Sequence, residues 1–218
     1  YAHARIKSID YSAAEAMQGV VTIMTGEEVG HYGVPCGWQV NFKNGDTMKE
    51  PPHPLLVKDK VRHVGDAVAM IVAETRELAQ DAAEAIIIDY EVLPAVTDAS
   101  KAVLPGAPLV HDDVPNNICF DWEIGNPKSE VDEAMASAHH ITSLDFVNQR
   151  LSPNAMEPRS YIGQYDSVYD KYTLYTSTQN PHLIRLLMCA FVLGLPEHKV
   201  RVVGPDVGGG FGSKIYHY

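Results

Sequence analysis

A chain of 218 residues, 45% of them hydrophobic, is long enough for one large domain or two modest ones. Its 28 acidic residues against 17 basic give a formal net charge of −11, which argues against the clustered lysines and arginines of nucleic-acid binding. No apolar run approaches the ~20 residues of a membrane span. Cys36, Cys119 and Cys189 form no Cys-x-x-Cys pair, which disfavours zinc or iron–sulfur ligation within this chain and fits a reducing, cytoplasmic setting.

Ala4 to Ile9 alternates as a short strand, and Ser12 caps helix formers up to Met17. The β-branched run Val20-Val21-Thr22-Ile23-Met24 predicts a buried strand ending at Thr25-Gly26. Residues 30–54 dissolve into Gly, Pro, Asn and isolated aromatics, a surface loop in which His31 and His53, like His63 beyond it, lack metal-ligand spacing. Lys60–Val64 and Ala67–Val72 read as strands joined around Gly65-Asp66. Thr75 caps a helix with Leu78, Ala82 and Ile86 at i, i+4 and i+8, and a strand follows from Ile86 to Val92, stopped by Pro94. Strand, helix and strand in that order suggest an α/β layer. The proline-bearing stretch 95–115 is a plausible boundary, dividing the chain into units 1–112 and 113–218.

In the second unit Ile118–Ile124 reads as a strand. Asn126-Pro127 then supplies a cap and first-turn proline for a helix with Val131, Ala134, Met135 and Ala138 on one face. His140–Leu151 is a long strand-like stretch; His139 and His140 would point to opposite faces, so they do not make a ligand pair. Tyr161–Tyr165 and Tyr172–Thr176 look like paired strands. Asn180-Pro181 opens the clearest helix, with Leu183, Ile184, Leu187, Met188, Phe191 and Val192 at core spacing and Gly194 then Pro196 ending it. Val200–Val203 is one more strand.

That strand delivers the chain into Gly204-Pro205-Asp206-Val207-Gly208-Gly209-Gly210-Phe211-Gly212-Ser213-Lys214. Four glycines within five residues suit a backbone that comes very close to something else, and bare N–H groups in succession can cradle an anion. Phe211 has little local backbone to pack on, so contact with a ligand or partner is expected; a tight turn against the core is the plainer alternative. The P-loop pattern fails because Ser213 precedes Lys214 and Ile215 follows it. The dinucleotide fingerprint fails at Ser213, and no Gly-x-Ser-x-Gly elbow is present. The start of the preceding helix, at Thr178-Gln179-Asn180, flanks the same strand–helix unit, so helix end and loop are expected to face one ligand. Nothing follows that loop beyond Tyr218 and no initiator methionine precedes Tyr1, so a piece of a longer protein is expected.

Several separate motifs carry a family resemblance. Gly65–Thr75 and Asp89-Tyr90-Glu91-Val92-Leu93-Pro94-Ala95-Val96 resemble the α/β-hammerhead domain of the molybdenum hydroxylases. Pro153-Asn154-Ala155-Met156-Glu157-Pro158-Arg159, Ser177-Thr178-Gln179-Asn180-Pro181-His182 and Asp206–Lys214 resemble the start of their molybdenum-binding domain. The family is that of xanthine dehydrogenase, aldehyde oxidase and aerobic carbon monoxide dehydrogenase, and the wording is most similar to bacterial carbon-monoxide-dehydrogenase-like large subunits. The fold class expected is therefore α+β (mixed α/β), a hammerhead domain followed by the first part of a molybdenum-cofactor-binding domain.

The resemblance implies a molybdenum-dependent oxidoreductase that hydroxylates carbon monoxide, an aldehyde or an N-heterocycle with water as oxygen source. The cofactor would be molybdenum–molybdopterin in its cytosine dinucleotide form. Electrons would pass to iron–sulfur clusters and FAD on a small and a medium partner subunit, in a dimer of heterotrimers. Gln179 matches the glutamine whose amide hydrogen-bonds the apical oxygen ligand of molybdenum, and no residue here binds the metal directly. Gly208, Gly209, Gly210, Phe211 and Gly212 match the loop that approaches the metal and pterin through its backbone. Xanthine-type members carry glutamate where this chain has Ile215, which argues against xanthine. The glutamate base and the copper-binding cysteine of true carbon monoxide dehydrogenases lie downstream in the family, so this chain alone should be catalytically incomplete. Two alternatives remain open: an assembly or interaction module of the same fold without cofactor, and a nucleotide binder using the glycine loop.

Overall fold

Alternating apolar residues make strands only where a second strand satisfies their backbone groups, and that condition divides the molecule into three small sheets. The structure, a computed structural model, describes residues 1–33, 35, 39–149 and 151–215; Cys36, one of the three cysteines read above, lies outside them. The first half runs β1 (Ala4–Asp10), α1 (Ser12–Glu15), β2 (Val20–Thr25), α2 (Gly26–Val29), β3 (Lys60–Val61), β4 (Ala69–Ala73), α3 (Arg76–Glu84), β5 (Ile87–Val92) and α4 (Ala99–Ala102). The second runs α5 (Lys128–Ser137), β6 (Tyr161–Asp166), β7 (Lys171–Thr176), α6 (Pro181–Leu187) and β8 (Val200–Val203).

In the first half β3-β1-β5 form one sheet and β2-β4 another, every pair antiparallel. The expected hairpin across Gly65-Asp66 is corrected by this pairing: β3 joins β1 and β4 joins β2. Asp66 accepts hydrogen bonds from the N–H groups of Arg62 and His63. The turn is real, but it carries the chain from one sheet to the other. The α/β layer inferred from β4, α3 and β5 is corrected likewise, because those two strands lie in different sheets. Ala4, Val57 and Val61 are buried and packed by Ile6, Val68 and Tyr90, which makes the core of this half.

Helix caps depart from the reading in instructive ways. Thr75 caps α3 through Leu78 N–H as expected. Ser12 is the first residue of α1 rather than its cap, since Asp10 accepts from its N–H and its hydroxyl. The unanticipated α2 starts at a capping box in which Thr25 and Glu28 satisfy each other's ends. The run Val20–Thr25 is only half buried; Val21, Met70 and Val72 face out from a two-stranded ribbon.

Between the halves, residues 95–117 wrap along β3. The buried Lys60 ammonium pairs with Asp112 at 2.8 Å, and Arg62 Nε donates to Val110 O at 3.3 Å. Asn117 closes the strap, accepting from Val110 N–H and donating to the carbonyls of Ala102 and Pro108.

Three further expectations are corrected in the second half. Residues 118–124 form no strand; single backbone bonds, Lys43 N–H to Asp121 O and Lys49 N–H to Cys119 O, tie them to the 40–50 loop. Residues 140–149 and 151 form none either, because no described strand lies beside them, and Leu144, Phe146, Val147 and Leu151 are exposed. Pro127, not Asn126, occupies the cap of α5, whose expected apolar face is uncovered at Val131 and Met135.

In the last sheet the β6–β7 pairing is as expected, and β8 joins it. β6 pairs antiparallel with β7, and β7 pairs parallel with β8, with α6 between the parallel strands in sequence. Ile184 and Leu187 bury the inner face of α6. The helix continues as a wider π-type segment over Met188–Leu193, which turns Phe191 out of the core its spacing predicted. Gly194 ends it at φ 61°.

Candidate functional site

Parallel strands send the chain out at the same edge of a sheet, which is where ligands bind in such units. β7 leaves into Ser177-Thr178-Gln179 and β8 leaves into the glycine loop. The two segments are stitched together: Gln179 N–H donates to Lys214 O at 2.9 Å, and the Thr178 hydroxyl donates to the same carbonyl at 3.2 Å. Thr176, Ser177 and Thr178 are buried, so this edge is rigidly backed.

Gln179 and the loop meet through the side-chain carbonyl. Gln179 Oε1 accepts from Gly212 N–H at 3.0 Å and Lys214 N–H at 3.2 Å. Two amide donors on one atom identify it as the oxygen. The –NH2 therefore points away from those bonds, and among the described residues it has no partner. Gly210 passes so close that a Cβ there would lie 2.5 Å from Gln179 Oε1. Gly209 and Gly212 have φ of 101° and 86°, a region glycine enters without strain.

Phe211 is the odd member, a non-glycine residue at φ 51° and 75% exposed. Its ring folds back over Gly209, where a Cβ would come within 2.9 Å of it. Among the described residues, the N–H groups of Gly209, Gly210 and Phe211 donate no hydrogen bond within the chain. Gly208 is different, since its N–H is already engaged by Glu157 at 2.7 Å. All six residues singled out from the sequence thus sit at one strand edge, but Gly208 faces a side chain of this protein.

Glu157 is the residue that sequence reasoning missed. Its Oε2 accepts from Lys214 Nζ at 2.9 Å, Ser177 Oγ at 2.7 Å and Gly208 N–H. The Lys214 ammonium, then the Ser177 hydroxyl and the Gly208 amide, hold this carboxyl down to about 2 from its ordinary 4.5. The Lys214 side chain is only 1% exposed, so a buried cation sits beneath the loop and is matched there. Arg159 adds a second tie, donating from its guanidinium to Ser213 O at 2.6 Å. Glu157 lies 57 residues from Lys214 in sequence, and no local spacing links them.

The donor set is suited to an anionic, oxygen-rich group: free backbone N–H groups, a fixed carboxamide –NH2, and glycines that leave room for close approach. No cluster of three His, Cys, Asp or Glu residues suited to a metal ion occurs among the described residues. Cys119 and Cys189 are free thiols. No described helix is long and apolar enough to cross a membrane.

Comparison with known proteins defines the class. Residues 1–94 match the aldehyde oxidase and xanthine dehydrogenase a/b hammerhead domain, and residues 110–218 match the molybdopterin cofactor-binding domain. The chain belongs to the aldehyde oxidase and xanthine dehydrogenase family of molybdopterin-binding proteins, with the mixed α/β fold expected of it. Among its relatives, the carbon monoxide dehydrogenase large chain of Afipia carboxidovorans is 35% identical over all of this chain and 27% of its own length. The nicotine 6-hydroxylase large subunit of Paenarthrobacter nicotinovorans is 34% identical over 99% of this chain and 26% of its own. The structure of reconstituted CO dehydrogenase from Oligotropha carboxidovorans superposes with a TM-score of 0.85 at 34% identity, covering 100% of this chain and 27% of that one. The chain therefore spans about a quarter of the length of these two curated relatives.

Proposed function

We propose that this chain is part of the catalytic large subunit of a molybdenum hydroxylase, and that the edge of β7 and β8 holds its molybdenum–pterin cofactor. The observation that carries this reading is the fixed Gln179 carboxamide beside three N–H groups, at Gly209, Gly210 and Phe211, that are unengaged among the described residues. When bound, such a cofactor supplies Lewis acidity toward water and an acceptor for the substrate's electrons. Residues of this chain would hold it: the Gln179 –NH2 and the Gly209, Gly210 and Phe211 amides would donate to its anionic oxygens, and the Gly212 N–H keeps the Gln179 carboxamide in place. The exposed Phe211 ring would serve as an apolar wall next to the bound cofactor. Gly208 contributes through the shape of the loop.

The cytosine dinucleotide form of the pterin, an iron–sulfur small subunit, an FAD-binding medium subunit, a dimer of heterotrimers and a cytoplasmic location are part of the same reading. So is a division at 112/113, which falls inside the strap that Asn117 closes. The substrate is a small molecule, carbon monoxide, an aldehyde or an N-heterocycle; relatives named for carbon monoxide and for nicotine match the same residues almost equally well. Ile215 in place of a charged residue disfavours a purine.

Metal and pterin analysis of the protein purified with its partner subunits tests this. Molybdenum with a releasable pterin nucleotide, in about equal amounts, is expected. A protein free of both would instead support an assembly module of the same fold.

A further inference from the structure

One oxygen of Glu157 gathers three donors from three stretches: Ser177 where β7 ends, Gly208 where the glycine loop begins and Lys214 where it closes. The backbone repeats the tie, since Glu157 N–H donates to Gly208 O at 3.3 Å. Packing is tight as well; a Cβ on Gly208 would stand 2.6 Å from Glu157 Cβ. The two ends of the 208–214 span are thus pinned to a single carboxylate, and Ser177 lies two residues before Gln179. Between the pins lie the amides that have no partner among the described residues. Gln179, Thr178 and Arg159 hold the closing end at 212–214 as well. Among the described residues, however, the opening end at Gly208 is bonded to Glu157 alone, so the direction of the amides between, two of them on glycine, depends on that carboxylate.

Resting on the cofactor-binding reading of this loop, we propose that Glu157 is a positioning residue, whose carboxylate clamps both ends of the glycine loop and so aims the Gly209–Phe211 amides and the Gln179 carboxamide at the bound cofactor. It acts through Gly208, Ser177 and Lys214 and does not itself touch the ligand. Removing the charge frees the loop while leaving the sheet beneath it in place.

The test uses Glu157→Gln and the double variant Glu157→Gln/Lys214→Met in the cofactor-loaded holoenzyme. The double variant guards against misfolding caused by a buried ammonium left without its counter-charge. Amide hydrogen exchange is followed segment by segment, together with Tm and the rate at which pterin is released. In at least the double variant, exchange over 204–215 should accelerate by about tenfold or more, with β7, β8 and the hammerhead sheets unchanged. Pterin release should accelerate in the same proteins. Unchanged loop exchange overturns the proposal. So does an acceleration spread evenly over the chain with a fall in Tm, which would mark Glu157 as general support for the fold. Wild-type protein that holds no pterin would defeat the cofactor reading instead, and loop exchange would still report on the clamp.

Discussion

Gln179 does two jobs with one carboxamide, and they can be separated by substitution. Glu in its place keeps an oxygen for the Gly212 and Lys214 amides but exchanges the –NH2 for a second oxygen, facing an anionic ligand. Gln179→Glu should keep loop exchange at wild-type rates while losing bound molybdenum; retention of full metal content would show that the –NH2 is not a cofactor donor. Gly210→Ala attacks the same contact from the other side. A methyl 2.5 Å from Gln179 Oε1 must displace one of them. A misplacement of about 1 Å near reacting atoms costs on the order of 100-fold, so kcat should fall by roughly that factor with Tm little changed. Glu157 makes a third prediction, through acid stability. Its folded carboxyl lies near 2 against an ordinary 4.5, so its contribution is complete above pH 4.5 and is lost as the pH falls from there through about 2. Tm measured across that window should fall less steeply for Glu157→Gln than for wild type; parallel curves would contradict the assignment. The glycines and Phe211 stood out because four glycines around an aromatic have no ordinary turn to serve, whereas Gln179 was singled out only by the resemblance of Ser177–His182 to the family motif. Glu157 did not stand out, since a lone carboxylate between Met156 and Pro158 announces no partner and its cation lies far along the chain.

At the scale of elements, the β7–α6–β8 unit was readable because each part carries its own signal: alternation in the strands, 3.6-residue spacing in the helix, and Gly194 with Pro196 as its stop. Gly194 sits at φ 61°, and a Cβ added there would meet nothing within 4 Å, so Gly194→Ala meets backbone strain and no clash. The expected loss is about 1 kcal/mol in urea unfolding, and Gly194→Asn should recover part of it. No loss for the alanine variant would mean that this turn is not held in the left-handed form. Other elements were less legible, for pairing reasons. Gly65-Asp66 announces a turn without saying which strands meet across it, and here β3 and β4 find different partners. His140–Leu151 has the composition of a strand and lacks, among the described residues, the neighbour that would make it one. The π-type segment after Leu187 escaped notice because one widened turn shifts the face of Phe191 without altering the residue pattern.

For the whole molecule, the surplus of acid over base disfavours a nucleic-acid partner. The carbon monoxide dehydrogenase and nicotine 6-hydroxylase relatives are about four times as long as this chain. The candidate site on this chain is one edge of a sheet. What this edge contributes is directional: a carboxamide and a glycine loop, tied to one another and backed by the buried Lys214 ammonium paired with Glu157. Crystals of the cofactor-loaded holoenzyme, recorded at the molybdenum absorption edge, bear on that most directly. The account predicts an anomalous peak facing the Gln179 –NH2, with the pterin running along Gly209–Gly212. A molybdenum peak remote from both Gln179 and Phe211 would contradict it.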